Sequence, residues 1–225
     1  MKPFDLAMRD ALPHGVLVGF HLPGDSEPVA DNILARLCPE ERAFAVTLRG
    51  YRQPEWVGGR LAAHAAARVM GRRLGPLLSD DRGAPTGGGG VAVSISHKRQ
   101  LAVALAARLE SGTIGVDLED FAPARPQVAA KVLTARELAA VAELDEDRQW
   151  TATIIRFSIK EAIYKALAPR LRRYIGFEEA EVEPSTDGTA DVRLNLAHGA
   201  PPVEIAARYH WLEQGIISTV RARWS

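Results

Sequence analysis

Gly115-Val116-Asp117-Leu118-Glu119 and Phe157-Ser158-Ile159-Lys160-Glu161-Ala162-Ile163-Tyr164-Lys165 decide how this chain is read. The first stretch ends an apolar strand, Thr113 to Leu118, reached through Ser111-Gly112. Side chains alternate faces along a strand, so Asp117 and Glu119 point one way while Val116 and Leu118 enter the core. The second stretch lies inside the longest predicted helix, Asp147 to Leu167, closed by Ala168-Pro169. Its flanks Ile154, Ile155, Ile159, Ile163 and Leu167 are apolar almost all round, which predicts substantial burial. Glu161 and Lys165 read either as a surface ion pair or, since buried charges need partners and Lys160 adds another, as part of the wall of a charged site.

Outward from these segments the elements sort into two similar series. Gly15 to Phe20 reads as a strand, Pro39-Glu40-Glu41 opens a helix running towards Leu48, and Glu55 to Met70 is an Ala-rich helix stopped by Gly71. Ser79 to Gly90 is a breaker-rich loop ending in four glycines, and Val91 to Ser96 and Leu101 to Ala107 form strands around a polar turn. After the strand at Thr113, Thr134-Ala135-Arg136-Glu137 has the spacing of a capping box ahead of Leu138 to Leu144. Ala180 to Glu183, Ala190 to Leu196, Val203 to Tyr209 and Gly215 to Arg221 read as antiparallel strands with turns at Asp187-Gly188 and Gly199. Helices first and hairpins after, in each half, predict an α+β fold with a boundary near Gly112. The expected lobes are residues 1–112 and 113–225.

Composition limits the function. Across 225 residues, 47% are hydrophobic and 25% charged, as in ordinary globular chains. Lys plus Arg and Asp plus Glu number 28 each, a neutral balance that gives no support for a nucleic-acid or membrane-surface binder. The single cysteine, Cys38, excludes an internal disulfide framework and fits a reducing, cytoplasmic setting. No apolar run is long enough to span a bilayer, and the start lacks the apolar run of a signal peptide.

Taken alone, the Asp117–Glu119 doublet reads either as a solvated strand end or as two ligands of a cation that relieves their repulsion. Glu161 decides between these if the helix brings it alongside, since three carboxylates leave water or phosphate to complete an octahedron around Mg2+. Glu161 and Lys165, four apart, share a helix face. Ser96-His97-Lys98-Arg99 reads either as a polar hairpin tip or as a grip on a phosphate monoester. Adjacent strand residues face opposite ways, and Gly-x-Ser-x-Gly is absent, so a Ser/His hydrolase is disfavoured.

In order and spacing, Ser94-Ile95-Ser96-His97-Lys98, Gly115 to Glu119 and Phe157 to Ala166 closely resemble the 4'-phosphopantetheinyl transferases, specifically the monomeric type serving siderophore, peptide and polyketide synthases. Gly59-Arg60-Leu61-Ala62-Ala63, Asp81-Arg82-Gly83-Ala84-Pro85 and Lys131 to Glu137 extend the resemblance over about Glu40 to Leu167. Where many relatives carry a Trp-Pro-Gly-type segment after Pro85, this chain has Thr86 and four glycines. The resemblance implies a pseudo-dimer of two similar α+β lobes with coenzyme A in the cleft. It implies transfer of the phosphopantetheine arm to a serine of an apo acyl, aryl or peptidyl carrier protein, releasing adenosine 3',5'-bisphosphate. By position, Asp117, Glu119 and Glu161 would hold Mg2+, and Lys160 and Lys165 would neutralise phosphate charge. Arg60, Arg82, Ser96 and His97 would grip the adenine-nucleotide end. Glu161 is the preferred base, directly or through a metal-bound water, with Lys165 as its catalytic partner. Val128, Val132 and Leu133 read either as a carrier-docking surface or as helix packing. Two other classes stay open: a Mg2+-dependent hydrolase of nucleotide pyrophosphates, and a non-catalytic coenzyme A-binding module.

Overall fold

The computed structural model describes residues 2–86, 89–196 and 202–224. It divides into two compact lobes, Met1–Ile114 and Gly115–Ser225, with the division inside a strand. The fold is α+β in each.

In the first lobe, β1 (Leu6–Leu12) and β2 (Gly15–His21) form a hairpin. The short helices α1 (Asp31–Leu34) and α2 (Pro39–Ala45) precede the long α3 (Arg52–Val69). A small hairpin, β3 (Leu78–Ser79) with β4 (Pro85–Thr86), leads to β5 (Val91–Lys98) and β6 (Leu101–Arg108). The main sheet runs β1-β2-β6-β5, with every pairing antiparallel. Small side chains let α3 lie close on it: Val57, Leu61, Ala62 and Ala66 join Val18, Phe20, Ala102, Ala104 and Ala106 in one core. The sequence reading missed β1. Leu6-Ala7-Met8-Arg9-Asp10-Ala11-Leu12 lacks the period-two alternation that marks a half-buried strand, because it is a largely exposed edge.

The second lobe repeats the plan. After β7 (Thr113–Asp120) come α4 (Ala129–Val132), α5 (Ala135–Ala142) and the 26-residue α6 (Glu146–Leu171). Four strands follow, β8 (Ala180–Pro184), β9 (Thr189–Leu194), β10 (Val203–Trp211) and β11 (Gly215–Trp224), in the order β7-β11-β10-β9-β8. On α6, Ile159, Ile163, Ala166 and Leu167 pack with Val182, Ala207, Tyr209, Ile216 and Val220. The helix runs past its expected stop: Pro169 sits inside the last turn, and Arg172, at φ 50°, ends it in the left-handed region. The expected turn at Gly199 lies outside the described residues, as do Gly87 and Gly88 of the glycine run.

The repetition extends to a buried carboxylate in each lobe. On α2, Glu41 accepts from the Cys38 amide at 3.0 Å and the Leu77 amide at 2.8 Å, and it meets His64 Nε2 of α3 at 2.8 Å. On α5, Glu137 accepts from the Thr134 amide at 2.7 Å and the Val182 amide at 2.8 Å, and it meets Lys160 Nζ of α6 at 2.6 Å. In both lobes the basic partner follows the carboxylate by 23 residues. Each glutamate therefore ties a helix start, the long helix and the chain leaving it into one clamp. An N3 glutamate reaching back to its cap is the capping-box signature read at Thr134. Its further reach into the lobe is what the sequence pattern does not announce.

Candidate active site

The acidic strand β7 is framed by two glycines that side chains would spoil. A Cβ on Gly115 would run into the Ala162 carbonyl oxygen and lie 2.8 Å from its carbon and 2.9 Å from Ala166 N. The backbone of α6 therefore crosses directly over Gly115. Residues two apart on a strand share a face, so Asp117 and Glu119 project on the side where α6 lies. At the other end, a Cβ on Gly215 of β11 would meet the Glu119 carbonyl, with its carbon at 3.2 Å. Glycine at both positions lets the strand carrying the carboxylates sit tight between its neighbours.

Lys165 closes the link between helix and strand. Its ammonium donates to Asp117 Oδ1 at 2.7 Å and to the Val116 carbonyl at 3.0 Å. Asp117 is only 4% exposed, whereas the Lys165 side chain retains 26% exposure. Burying a carboxylate is costly without such a partner. Glu161 lies one helical turn before Lys165 and is half-buried, as is Glu119. A pocket of about 130 Å3 opens beside Glu161, walled by Ile163, Tyr164, Tyr174, Ile175 and Phe177. The rings of Tyr164 and Tyr174 lie 6.1 Å apart. The contact the structure shows here is Lys165 with Asp117. Glu119 shares the strand face of Asp117 and Glu161 the helix face of Lys165, whereas the one group of three metal-capable side chains within 4.8 Å among the described residues lies elsewhere, at Cys38, Glu41 and His64.

Other predicted site residues lie differently. Lys160, expected to face phosphate, turns into the lobe. Its ammonium donates to Glu137 Oε2 at 2.6 Å, Val132 O at 2.9 Å and Phe177 O at 2.9 Å, which uses all three of its protons. Burial pushes it below the ordinary lysine range and Glu137 pulls it back. Its place is in the clamp, and this corrects the phosphate-binding expectation. It is the immediate neighbour of Glu161, but one step turns about 100° on a helix, enough to turn one inward and the other out. Arg60 is likewise buried, donating through Nε to Leu77 O at 3.0 Å and through Nη2 to Ser79 Oγ at 2.8 Å, with its guanidinium 4.2 Å over the Trp56 ring. Burial, against the pull of Glu41, lowers its pKa to about 10, which leaves it charged at neutral pH.

On β5, His97 faces α3, with Nδ1 3.5 Å from Glu55 Oε1, and its side chain is 45% exposed. Ser96 is buried, and as its strand neighbour it points to the opposite face. Arg82 occupies the exposed turn between β3 and β4, where Asp80 Oδ1 accepts from the Arg82 and Ala84 amides. Of the suggested docking residues, Val132 and Leu133 are buried in a small cluster with Val141, with Val128 packed against it. These are packing positions.

The sequence reading missed the cluster of Cys38, Glu41 and His64, whose ligand-capable atoms lie within 4.8 Å of one another. Only its separation along the chain hid it, since nothing local links residue 41 to residue 64.

Comparison with known proteins agrees with this architecture. Residues 113–217 match the 4'-phosphopantetheinyl transferase superfamily, and residues 40–107 match the 4'-phosphopantetheinyl transferase N-terminal domain. The 4'-phosphopantetheinyl transferase Svp of Streptomyces mobaraensis is 34% identical over 169 residues, covering 73% of this chain and 68% of that protein. The 4'-phosphopantetheinyl transferase PptT of Mycobacterium tuberculosis is 29% identical over 194 residues, covering 83% and 80%. Among solved structures, a holo-(acyl-carrier-protein) synthase from Bacillus anthracis covers 51% of this chain and 97% of its own, at 18% identity and a TM-score of 0.41. With two family matches and a relative sharing a third of its residues over most of both chains, the protein belongs to the 4'-phosphopantetheinyl transferase superfamily.

Proposed function

We propose that this enzyme transfers the 4'-phosphopantetheine arm of coenzyme A to a serine of an apo carrier protein. The observation that carries the reading is the Lys165–Asp117 contact at 2.7 Å, with α6 held against β7 at Gly115, on the face where Asp117 and Glu119 project. Asp117, Glu119 and Glu161 are the residues that would hold Mg2+. When bound, the ion would neutralise charge on the coenzyme A pyrophosphate.

The chain's own groups divide the remaining work. The carrier serine oxygen attacks the phosphorus attached to pantetheine, and the bond from that phosphorus to the nucleotide phosphate breaks. Adenosine 3',5'-bisphosphate leaves with the bonding electron pair. Glu161 accepts the serine proton, and Lys165, fixed by Val116 O and Asp117, offsets charge growing on the transferring group. His97, Ser96 and Arg82 are assigned to the nucleotide end of coenzyme A, with His97 reading the 3'-phosphate. Arg60 supports the β3 segment rather than reaching for ligand. The same reading makes the protein a cytoplasmic monomer serving acyl, aryl or peptidyl carriers of secondary metabolism; a single cysteine supports the compartment. Among the described residues no helix is long and apolar enough to cross a membrane.

The test is intact-protein mass spectrometry of an apo carrier incubated with the enzyme, coenzyme A and Mg2+. A gain of one phosphopantetheine, lost in EDTA, is the expected result. No gain on any carrier with coenzyme A cleaved would mean a pyrophosphate hydrolase, and no gain with coenzyme A intact a binding module.

A further inference from the structure

The two buried clamps differ in one respect. In the second lobe Glu137 meets a lysine, whose amine donates to it at 2.6 Å. In the first lobe the same carboxylate, fully buried, meets a histidine, and a thiol is added beside it: Cys38 Sγ lies 4.0 Å from His64 Nε2. His64 Nε2 is 2.8 Å from Glu41 Oε1 and 3.0 Å from Oε2. A buried carboxylate needs a compensating cation. Here a histidine that touches both carboxylate oxygens takes the lysine's place, and with the thiol beside it nitrogen, sulfur and oxygen donors lie within 4.8 Å of one another.

We propose that Cys38, Glu41 and His64 bind a thiophilic divalent cation, zinc by chemical class, which supplies in the first lobe the charge that Lys160 supplies in the second. Sulfur, imidazole nitrogen and carboxylate oxygen on three separate anchors are a zinc donor set, and three protein ligands leave a fourth position open. The anchors are the start of α2, its first turn and the middle of α3, so the ion would pin α2 onto α3. The open side gives onto a surface pocket of about 590 Å3 that Cys38 and His64 help line. Arg68, Arg72 and Arg73 rim it. Those exposed guanidiniums are screened by solvent and favour water or a small anion, not a further cation, in the fourth position. This site shares no residue with the Asp117, Glu119 and Glu161 set, whose hard oxygens suit magnesium.

The experiment titrates the full-length, chelator-treated protein with cobalt(II), then with zinc. One equivalent should bind with tetrahedral visible bands and a near-ultraviolet thiolate charge-transfer band, zinc should displace it, and zinc should raise the unfolding temperature. Cys38→Ser, which keeps the backbone amide that Glu41 uses, should remove the thiolate band and weaken zinc binding at least tenfold. His64→Lys, which rebuilds the ion pair of the second lobe, should fold and melt independently of zinc. A wild-type protein with no thiolate band and a melting temperature indifferent to zinc would overturn the proposal and leave an imidazolium–carboxylate pair. A band that persists in Cys38→Ser would overturn it as well.

Discussion

Gly115→Ala is the smallest change that tests whether the close approach of α6 to β7 builds the active site. The added methyl would lie 2.8 Å from the Ala162 carbonyl carbon and 2.9 Å from Ala166 N, and closer still to the Ala162 oxygen, where ordinary contacts begin at 3.4 Å. All of these atoms are helix backbone, which cannot rotate aside. The helix would have to retreat by at least about 0.6 Å at the carbonyl carbon, and further at the oxygen, because interiors are close-packed and rigid. Overpacking of this kind costs about 1–3 kcal/mol. Lys165 reaches Asp117 from the next turn, so its 2.7 Å contact would stretch past the useful hydrogen-bond range. Glu161 would move with the same helix. Misplacement of about 1 Å at reacting groups costs roughly 100-fold in rate, so kcat for phosphopantetheine transfer should fall roughly 10- to 100-fold. The melting temperature should drop by several degrees. Both follow from one purified variant, by timed intact-mass measurement of holo-carrier and by thermal denaturation. If Gly115→Ala keeps wild-type kcat while losing stability, the contact is packing alone and the positioning argument fails. If neither quantity changes, the helix does not lie where the structure has it.

Asp117→Ala removes a proposed metal ligand and the partner of Lys165, and transfer should fall at least 100-fold, consistent with the several kcal/mol that charge stabilisation by an ion supplies; turnover near wild type at saturating Mg2+ would remove Asp117 from the metal site. Lys160→Met leaves Glu137 buried without its cation, so urea denaturation should show a loss of about 3–5 kcal/mol, with the KM for coenzyme A changed less than threefold. A large KM increase at unchanged stability would return Lys160 to the phosphate. His97→Ala should weaken coenzyme A binding while sparing dephospho-coenzyme A; a variant that still discriminates fully between the two does not read the 3'-phosphate through His97.

What the sequence made legible was chemistry with a short period. Asp117 and Glu119 share a strand face, Glu161 and Lys165 share a helix face, and Thr134 and Glu137 form a cap, each within a few residues. The direction of a buried cation was not legible. Lys160 and Lys165 both look like phosphate ligands in an apolar helix, and only packing sends the first to Glu137, Val132 and Phe177 and the second to Asp117. Gly115 looked like one more strand residue because the requirement for glycine comes from α6, about fifty residues later. The edge strand β1 escaped because exposure removes the alternation that betrays its neighbours.

The duplicated clamp separates what folds this protein from what makes it an enzyme. Glu41 and Glu137 do the same architectural work, each holding two backbone amides and one basic side chain of the long helix. The strands leading into the two helical segments are not alike. β2, Gly15-Val16-Leu17-Val18-Gly19-Phe20-His21, has no carboxylate, whereas its topological counterpart β7 carries Asp117, Glu119 and Asp120. Each strand is bonded to the last strand of its lobe, and each has the long helix of its lobe ahead of it in sequence. The scaffold thus tolerates both an apolar and an acidic strand at this position, and the acidic one is not required by the fold. Repulsion among carboxylates on one strand is a standing cost. Its presence in one copy only, beside the lysine that pairs with Asp117, is what the proposed charge-stabilising centre would require and what structural symmetry alone would not produce.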